Sequence, residues 1–206
     1  LIGRGIEWNS NKKTLEPPSI MSKADLRIVD LNCVIAAQGK QGIDKGTPSP
    51  YYYHARPEQA NLLREANIDV ALTANDHALD YYEAALLEQN EILDRAGILH
   101  CGTGKNLDEA AAPLFINVNK IVVALFNVDS TTKAYGATAD KAGNFYLPLE
   151  QPELWQKYFA EKISDARKKA DVVLVAPYWY PNSANGLRPQ AQTVARILID
   201  CGADAV

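Results

Sequence analysis

Several common signals are missing from this 206-residue chain, and each absence excludes a class of protein. Cysteine is scarce: Cys33, Cys101 and Cys201 stand far apart with no C-x-x-C pair, so a disulfide framework and a zinc knuckle are both excluded. The three read as small apolar residues near strand or helix ends. No apolar run approaches the roughly 18 to 20 residues that a membrane span requires. No n-region and h-region of a signal peptide are visible. The chain opens on Leu1 rather than Met, which points to something removed upstream and leaves the compartment open. Neither sign of charge dominates, with 21 basic and 25 acidic side chains and a net charge of −4. That balance argues against nucleic acid or an anionic membrane surface as the partner. The longest cationic run, Arg167-Lys168-Lys169, suits the last turn of a helix.

Familiar catalytic signatures are missing too. Gly102-Thr103-Gly104-Lys105-Asn106 looks like a phosphate loop at first sight, but Leu99 stands at the first-glycine position and Asn106 follows the lysine. It fails the P-loop pattern. Neither a G-x-S-x-G elbow nor an H-E-x-x-H zinc helix occurs.

What is present is a folding pattern. Hydrophobic residues make up 47% and charged residues 22%, enough to bury a core. The first 23 residues, with Pro17-Pro18, read as an irregular lead-in. Leu26 to Asn32 reads as a strand, and a Gly/Pro/Ser-rich loop from Gly39 to Pro50 then leads to Tyr51-Tyr52-Tyr53. Such a long surface loop is a candidate binding element. Pro57 opens a helix to about Asn67, followed by a strand over 68–74. Asp80-Tyr81-Tyr82-Glu83 has capping-box spacing for a helix from about Asp80 to Ala96, stopped by Gly97. A short strand over 98–101 and a hairpin of Leu114–Val118 and Ile121–Val128 come next. A helix over 152–170 carries Trp155, Phe159, Ile163 and Ala166 on one stripe. A strand over 171–176, a helix over 189–201 and a new strand from Ala203 finish the pattern. The alternation predicts an α/β protein with a largely parallel, partly mixed sheet. A TIM barrel would need eight strand–helix units, and about six strands are visible. The strand cut off at Val206 suggests a fold that continues.

In such folds polar chemistry gathers at the carboxyl ends of strands. Those ends carry Asp30-Leu31-Asn32, Asn75-Asp76-His77, Asn127-Val128-Asp129-Ser130 and Tyr178-Trp179-Tyr180. Asn75-Asp76-His77 offers an amide, a carboxylate and an imidazole suited to a metal or a phosphoryl oxygen. The alternative is that Asn75 or Asp76 caps the following helix and His77 is exposed in its first turn. His54 and His100 read as packed or solvated.

These segments together resemble the CapA family of poly-gamma-glutamate capsule biosynthesis proteins, whose domains are similar to calcineurin-like metallophosphoesterases. Leu72-Thr73-Ala74-Asn75-Asp76-His77-Ala78-Leu79-Asp80-Tyr81 is similar to the family's L-A-N-N-H-A-L-D-Y block. Ala24 to Asn32 is similar to A-D-L-x-x-x-N-L-E. Ala96-Gly97-Ile98 and Gly102 to Ala110 resemble A-G-I and G-x-G-x-N-x-x-E-A, and Leu198 to Val206 resembles L-I-D-A-G-A-D-x-V. Leu1 to Gly5 fits the segment after the family's opening G-D.

The resemblance implies an α/β/β/α sandwich with mixed sheets and outer helices, as a single domain over 1–206 or the N-terminal part of one. It implies a divalent-metal site (Mn, Zn or Fe) that activates water, with Asn75 a ligand, Asn32 at another ligand position and His77 catalytic. Asp30, Asp76, Asp129, Tyr178 and Trp179 would line the site. The chain departs from the family's pattern at Asn32, where the family has Glu, and at Tyr178, where it has His. The opening G-D and a later G-H-H-P-H segment are absent from these residues. Two neutral groups hold a hard cation poorly, so the expectation is a weak or absent metal and weak catalysis. The alternatives are an active metal-dependent hydrolase with ligands outside the chain, and a polymer- or partner-binding module using the Gly39–Tyr53 loop and Trp179. Implied partners are poly-gamma-glutamate or capsule polymer and the capsule synthesis machinery, at the bacterial cell surface, with no nucleic acid and no transmembrane segment in this chain.

Overall fold

The structure is a computed structural model, and it describes residues 19–37, 39–40, 42, 44–45, 50–179 and 188–206. The expectations for the lead-in before Ser19, for much of the 39–50 loop and for Tyr180 lie outside the described residues. In chain order the elements begin with β1 (Ile28–Asp30), β2 (Val34–Ile35), β3 (His54–Ala55), α1 (Ala60–Glu65) and β4 (Val70–Leu72). They continue with α2 (Tyr82–Ala96), β5 (Leu99–Cys101), β6 (Thr103–Gly104), α3 (Leu107–Ala110), β7 (Leu114–Val118) and β8 (Ile121–Asp129). The last are β9 (Gly143–Asn144), α4 (Pro152–Arg167), β10 (Val172–Tyr178) and α5 (Pro189–Asp200).

Two three-stranded sheets carry the fold. In the first, β1, β4 and β5 lie in that order and are parallel. In the second, β8 is central, parallel to β10 and antiparallel to β7. The β7–β8 turn places Asn119 and Lys120 at φ 49° and 74°, as a tight hairpin turn demands. Two short pairs, β2 with β3 and β6 with β9, lie outside these sheets.

Side-chain alternation along the strands builds the layers. Val123 and Leu125 of β8, with Val70 of β4 and Cys101 of β5, form an apolar layer between the sheets, joined by Leu174 of β10 and Ile28 of β1. The intervening Ala124, Phe126, Val128, Val173 and Val175 face outward onto Trp155, Phe159 and Ile163 of α4 and Val194 and Leu198 of α5. On the other side Ala71 faces Leu63 of α1 and Ile92 and Leu93 of α2. The result is an α/β/β/α sandwich. The predicted α4 stripe is the buried one: Trp155, Phe159, Ile163 and Ala166 are all covered.

Most expected elements recur with limits shifted by a few residues, but the strand expected from Ala203 is only a bridge of Ala205 to Leu174, and three further features differ. The helix expected from Pro57 starts as a 3-10 turn, Pro57–Gln59, before α1. The sequence reading also missed β2, β3, β6, β9 and α3, which lie in segments too short for a periodic pattern. Asp80 does not cap α2: Tyr81 occupies the cap position with no side-chain cap bond, and the Asp80 carboxylate is engaged elsewhere. Gly97 does end α2, in the left-handed region at φ 72°.

Candidate functional site

Strand parity decides what meets at the carboxyl rim. Asp30 follows Ile28 on the inward face of β1, Asn127 and Asp129 follow Leu125 on β8, and Tyr178 follows Leu174 and Ala176 on β10. Each therefore points between the sheets, where the apolar filling ends. Trp179 has the opposite parity and packs against the outer α4 core.

The loop after β4 enters this gap. Asn127 fixes its start, accepting from the Ala74 N–H at 2.7 Å and donating to the Ala176 carbonyl at 2.9 Å. One buried amide thus ties the first sheet's loop to β8 and β10 of the second. Gly102 makes room for it: at φ 103°, an added Cβ would fall on the Asn127 side chain and on Ala74.

Asn75 is fully buried, with both ends of its amide engaged. Nδ2 donates to Asp30 Oδ1 and to the Leu31 carbonyl, each at 3.0 Å, while Oδ1 accepts from the His77 N–H at 3.0 Å. Its carbonyl accepts from Asn144 Nδ2 at 2.9 Å. Asn75 shapes the loop. Asp76, the next residue, turns the other way into the crevice. The Tyr178 hydroxyl donates to Asp76 Oδ1 at 2.8 Å and accepts from Asn32 Nδ2 at 3.0 Å. The family's pattern has an amide at position 76 and a carboxylate at position 32; this chain has the acid at 76 and the amide at 32, both bonded to the Tyr178 hydroxyl.

His77 is neither exposed nor in the first turn of a helix, which overturns the capping alternative; it is 2% exposed. Its Nδ1 lies 2.6 Å from Asp80 Oδ2. The Lys45 ammonium also approaches Nδ1, at 3.1 Å; the shorter carboxylate contact assigns the Nδ1 proton to Asp80, which leaves Nε2 facing Asp76 Oδ1 at 3.7 Å. Tyr53 stacks on the imidazole with ring centroids 4.1 Å apart. Asp80 also accepts from the Tyr53 N–H at 2.6 Å and from the Tyr135 hydroxyl at 3.2 Å, and it pairs with the Lys45 ammonium. Lys45 donates as well to the Asp76 carbonyl at 2.8 Å.

Asp129 is fully buried and accepts from Thr131 N and Oγ1 at 2.7 and 2.6 Å and from Asn144 Nδ2 at 2.9 Å. Burial holds its carboxyl above the usual range, those bonds oppose the shift, and the Asp76 charge adds to it. Asp30 stands at the rim, open to water on one side. Atoms crowded around it still push its carboxyl up to about 6, against the amides of Asn75 and Asn32. Burial, then the Asp76 charge, holds the Tyr178 phenol protonated well beyond ordinary alkaline pH.

The structure thus brings Asp30, Asn32, Asn75, Asp76, His77, Asp129 and Tyr178 to one rim. Sequence reasoning missed Thr131, Tyr135 and Asn144, and it included Lys45 and Tyr53 only as members of the Gly39–Tyr53 loop. It noticed Asp80 only as a helix cap, although a carboxylate three residues after a histidine was a usable signal. Among the described residues, no three His, Cys, Asp or Glu side chains are grouped as a metal ion would require.

A relative in Bacillus subtilis (strain 168), "PGA biosynthesis protein CapA", is 28% identical over 151 residues, covering 72% of this chain and 38% of that protein. "Capsule biosynthesis protein CapA" of Bacillus anthracis is 24% identical over 153 residues, covering 74% and 36%. The chain therefore spans little more than a third of the length of these two relatives. A solved Staphylococcus aureus protein described as a 5'-nucleotidase superposes loosely, with a TM-score of 0.39 at 12% identity over 58% of this chain and 22% of the other. That superposition is too loose to carry weight. The model of the family "Bacterial capsule synthesis protein PGA_cap" matches residues 7–206. This chain belongs to that bacterial capsule synthesis family.

Proposed function

We propose that the chain serves poly-gamma-glutamate or capsule-polymer synthesis at the bacterial cell surface, and that by itself it turns polymer over slowly if at all. Family membership supports the capsule context. The observation that carries the weak catalysis is the enclosure of His77. General acid–base catalysis needs an imidazole within hydrogen-bond reach of substrate. Here Nδ1 is held by Asp80, one ring face is covered by Tyr53, and the side chain is 3% exposed. Little of the imidazole is open to a substrate.

The test is turnover of a gamma-linked glutamyl peptide and of a generic phosphodiester, with the protein and with His77→Ala. Rates near background for both proteins are expected. Turnover of about 1 per second or faster, abolished by His77→Ala, would defeat this reading.

The second reading is an active hydrolase whose remaining catalytic groups come from elsewhere in the protein. The 2.6 Å contact of His77 with Asp80 favours it, because a carboxylate on Nδ1 fixes the tautomer that leaves Nε2 able to accept a proton. Turnover that appears only when the chain is extended would select this reading over the first.

A further inference from the structure

We infer that Tyr178 is a selectivity residue: its hydroxyl satisfies Asp76 and Asn32 from within the protein and closes the crevice to divalent cations. The inference concerns the same crevice as the proposed function but does not need a polymer. Hard divalent ions bind where several carboxylate or carbonyl oxygens converge with lone pairs to spare. Four carboxylates surround this crevice, and each is already engaged. Asp30 accepts from Asn75 at 3.0 Å. Asp80 is taken by Lys45, His77, Tyr135 and the Tyr53 N–H. Asp129 is taken by Thr131 and Asn144. Asp76 accepts from Tyr178 at 2.8 Å. These residues do not fit a metal centre as they stand.

Tyr178 joins the two sheets at this rim: it reaches from the end of β10, in the second sheet, to two loops of the first. Its O–H donates to one loop and its oxygen accepts from the other, so a single neutral group engages an acid and an amide together. Asp76 is more open than the buried Asp80 and Asp129, its side chain 24% exposed against none for Asp80, and Asp30 at the rim is more open still. An ion arriving at Asp76 Oδ1 would have to displace the phenol.

The experiment is the thermal midpoint of the intact protein in EDTA and in Mn²⁺, for the wild type, Tyr178→Phe and Tyr178→His. A ligand that binds only the folded state raises the midpoint. The wild-type midpoint is expected to be the same in both solutions. A folded Tyr178 variant is expected to rise in Mn²⁺, with the imidazole of Tyr178→His giving about tenfold tighter binding than the phenyl of Tyr178→Phe. A Mn²⁺-dependent rise in the wild type overturns the inference, whether or not either variant folds. Folded variants that ignore Mn²⁺ overturn it as well. Neither result bears on polymer turnover, so its failure is separable from that of the functional reading.

Discussion

His77 and Asp80, three residues apart, form a buried pair with Nδ1 2.6 Å from Oδ2, and Lys45 closes on the other carboxylate oxygen. Asp80 is surrounded by donors alone: an imidazole N–H, a backbone N–H, a phenol and an ammonium. Asp80→Asn would turn an amide NH₂ toward one of them and leave the ammonium, 11% exposed, without a counter-charge. Breaking a buried pair from one side costs about 3–5 kcal/mol, and chemical denaturation of Asp80→Asn should show a loss of that size. Adding Lys45→Met should recover part of it, with a coupling of about 1 kcal/mol or more. Strictly additive effects would mean that the ammonium and the carboxylate do not act as a pair.

The two acids with raised pKa set a pH dependence whose sign can be worked out. Burial favours the protonated form of Asp129, and crowding does the same for Asp30, up to about 6. A carboxyl with a raised folded value contributes stability that is fully present below its unfolded value of about 4 and is lost as pH rises through the folded value. From these groups, unfolding free energy should decline between about pH 4 and pH 7, with Asp30's share reduced by its contact with water. Thr131→Val removes the hydroxyl that steadies ionised Asp129 at 2.6 Å. Its decline should therefore extend to higher pH than in the wild type. A Thr131→Val profile parallel to the wild type would contradict that role for the hydroxyl.

Gly102 tests the tie between the sheets. Alanine there would adopt φ 103° and place its methyl on Asn127 and Ala74. Backbone strain and overpacking together should destabilise by about 2–4 kcal/mol, read as a shift in denaturation midpoint. Because Asn127 holds the Ala74 N–H, the peptide amides of the 75–77 loop should exchange hydrogen faster in Gly102→Ala. Faster exchange spread evenly over the protein would instead indicate a general loss of stability.

What the sequence disclosed follows from periodicity. The α4 stripe, the Leu114–Val128 hairpin and the glycine stop after α2 are written in spacing alone. Strand ends located the rim, since Asp30, Asp129 and Tyr178 each close a strand. Which face they take followed only once paired strands showed which parity lies between the sheets, and this is why Trp179 looked as eligible as its neighbour. Lys45 and Asn144 carried no periodic signal. Their roles come from chain segments 32 or more residues distant from His77 and Asp80, or 69 from Asn75, a relationship that no local pattern encodes. Asp80 misled for a physical reason: the same short carboxylate that caps helices can serve a histidine, and spacing does not say which N–H it meets.

Asn75 distinguishes a scaffold from a ligand. If its task is to shape the loop, replacement by Asp should be worse than replacement by Ala. Aspartate would put a carboxylate oxygen against the Leu31 carbonyl and the Asp30 carboxylate, where Nδ2 now donates at 3.0 Å to each. Alanine loses the three bonds but adds no repulsion. Each variant should be destabilised by about 2–4 kcal/mol, from buried partners left unsatisfied, with Asn75→Asp the larger loss at pH 8. The difference should narrow near pH 5, where protonation of the new acid or of Asp30 restores a donor. A metal ligand behaves oppositely: Asp is the stronger donor to a hard cation, so Asn75→Asp would be the milder change and would gain stability from Mn²⁺. Denaturation of both variants at the two pH values, with and without Mn²⁺, separates these roles. An Asn75→Asp protein more stable than Asn75→Ala at pH 8 in Mn²⁺ would assign the amide to a cation rather than to the loop.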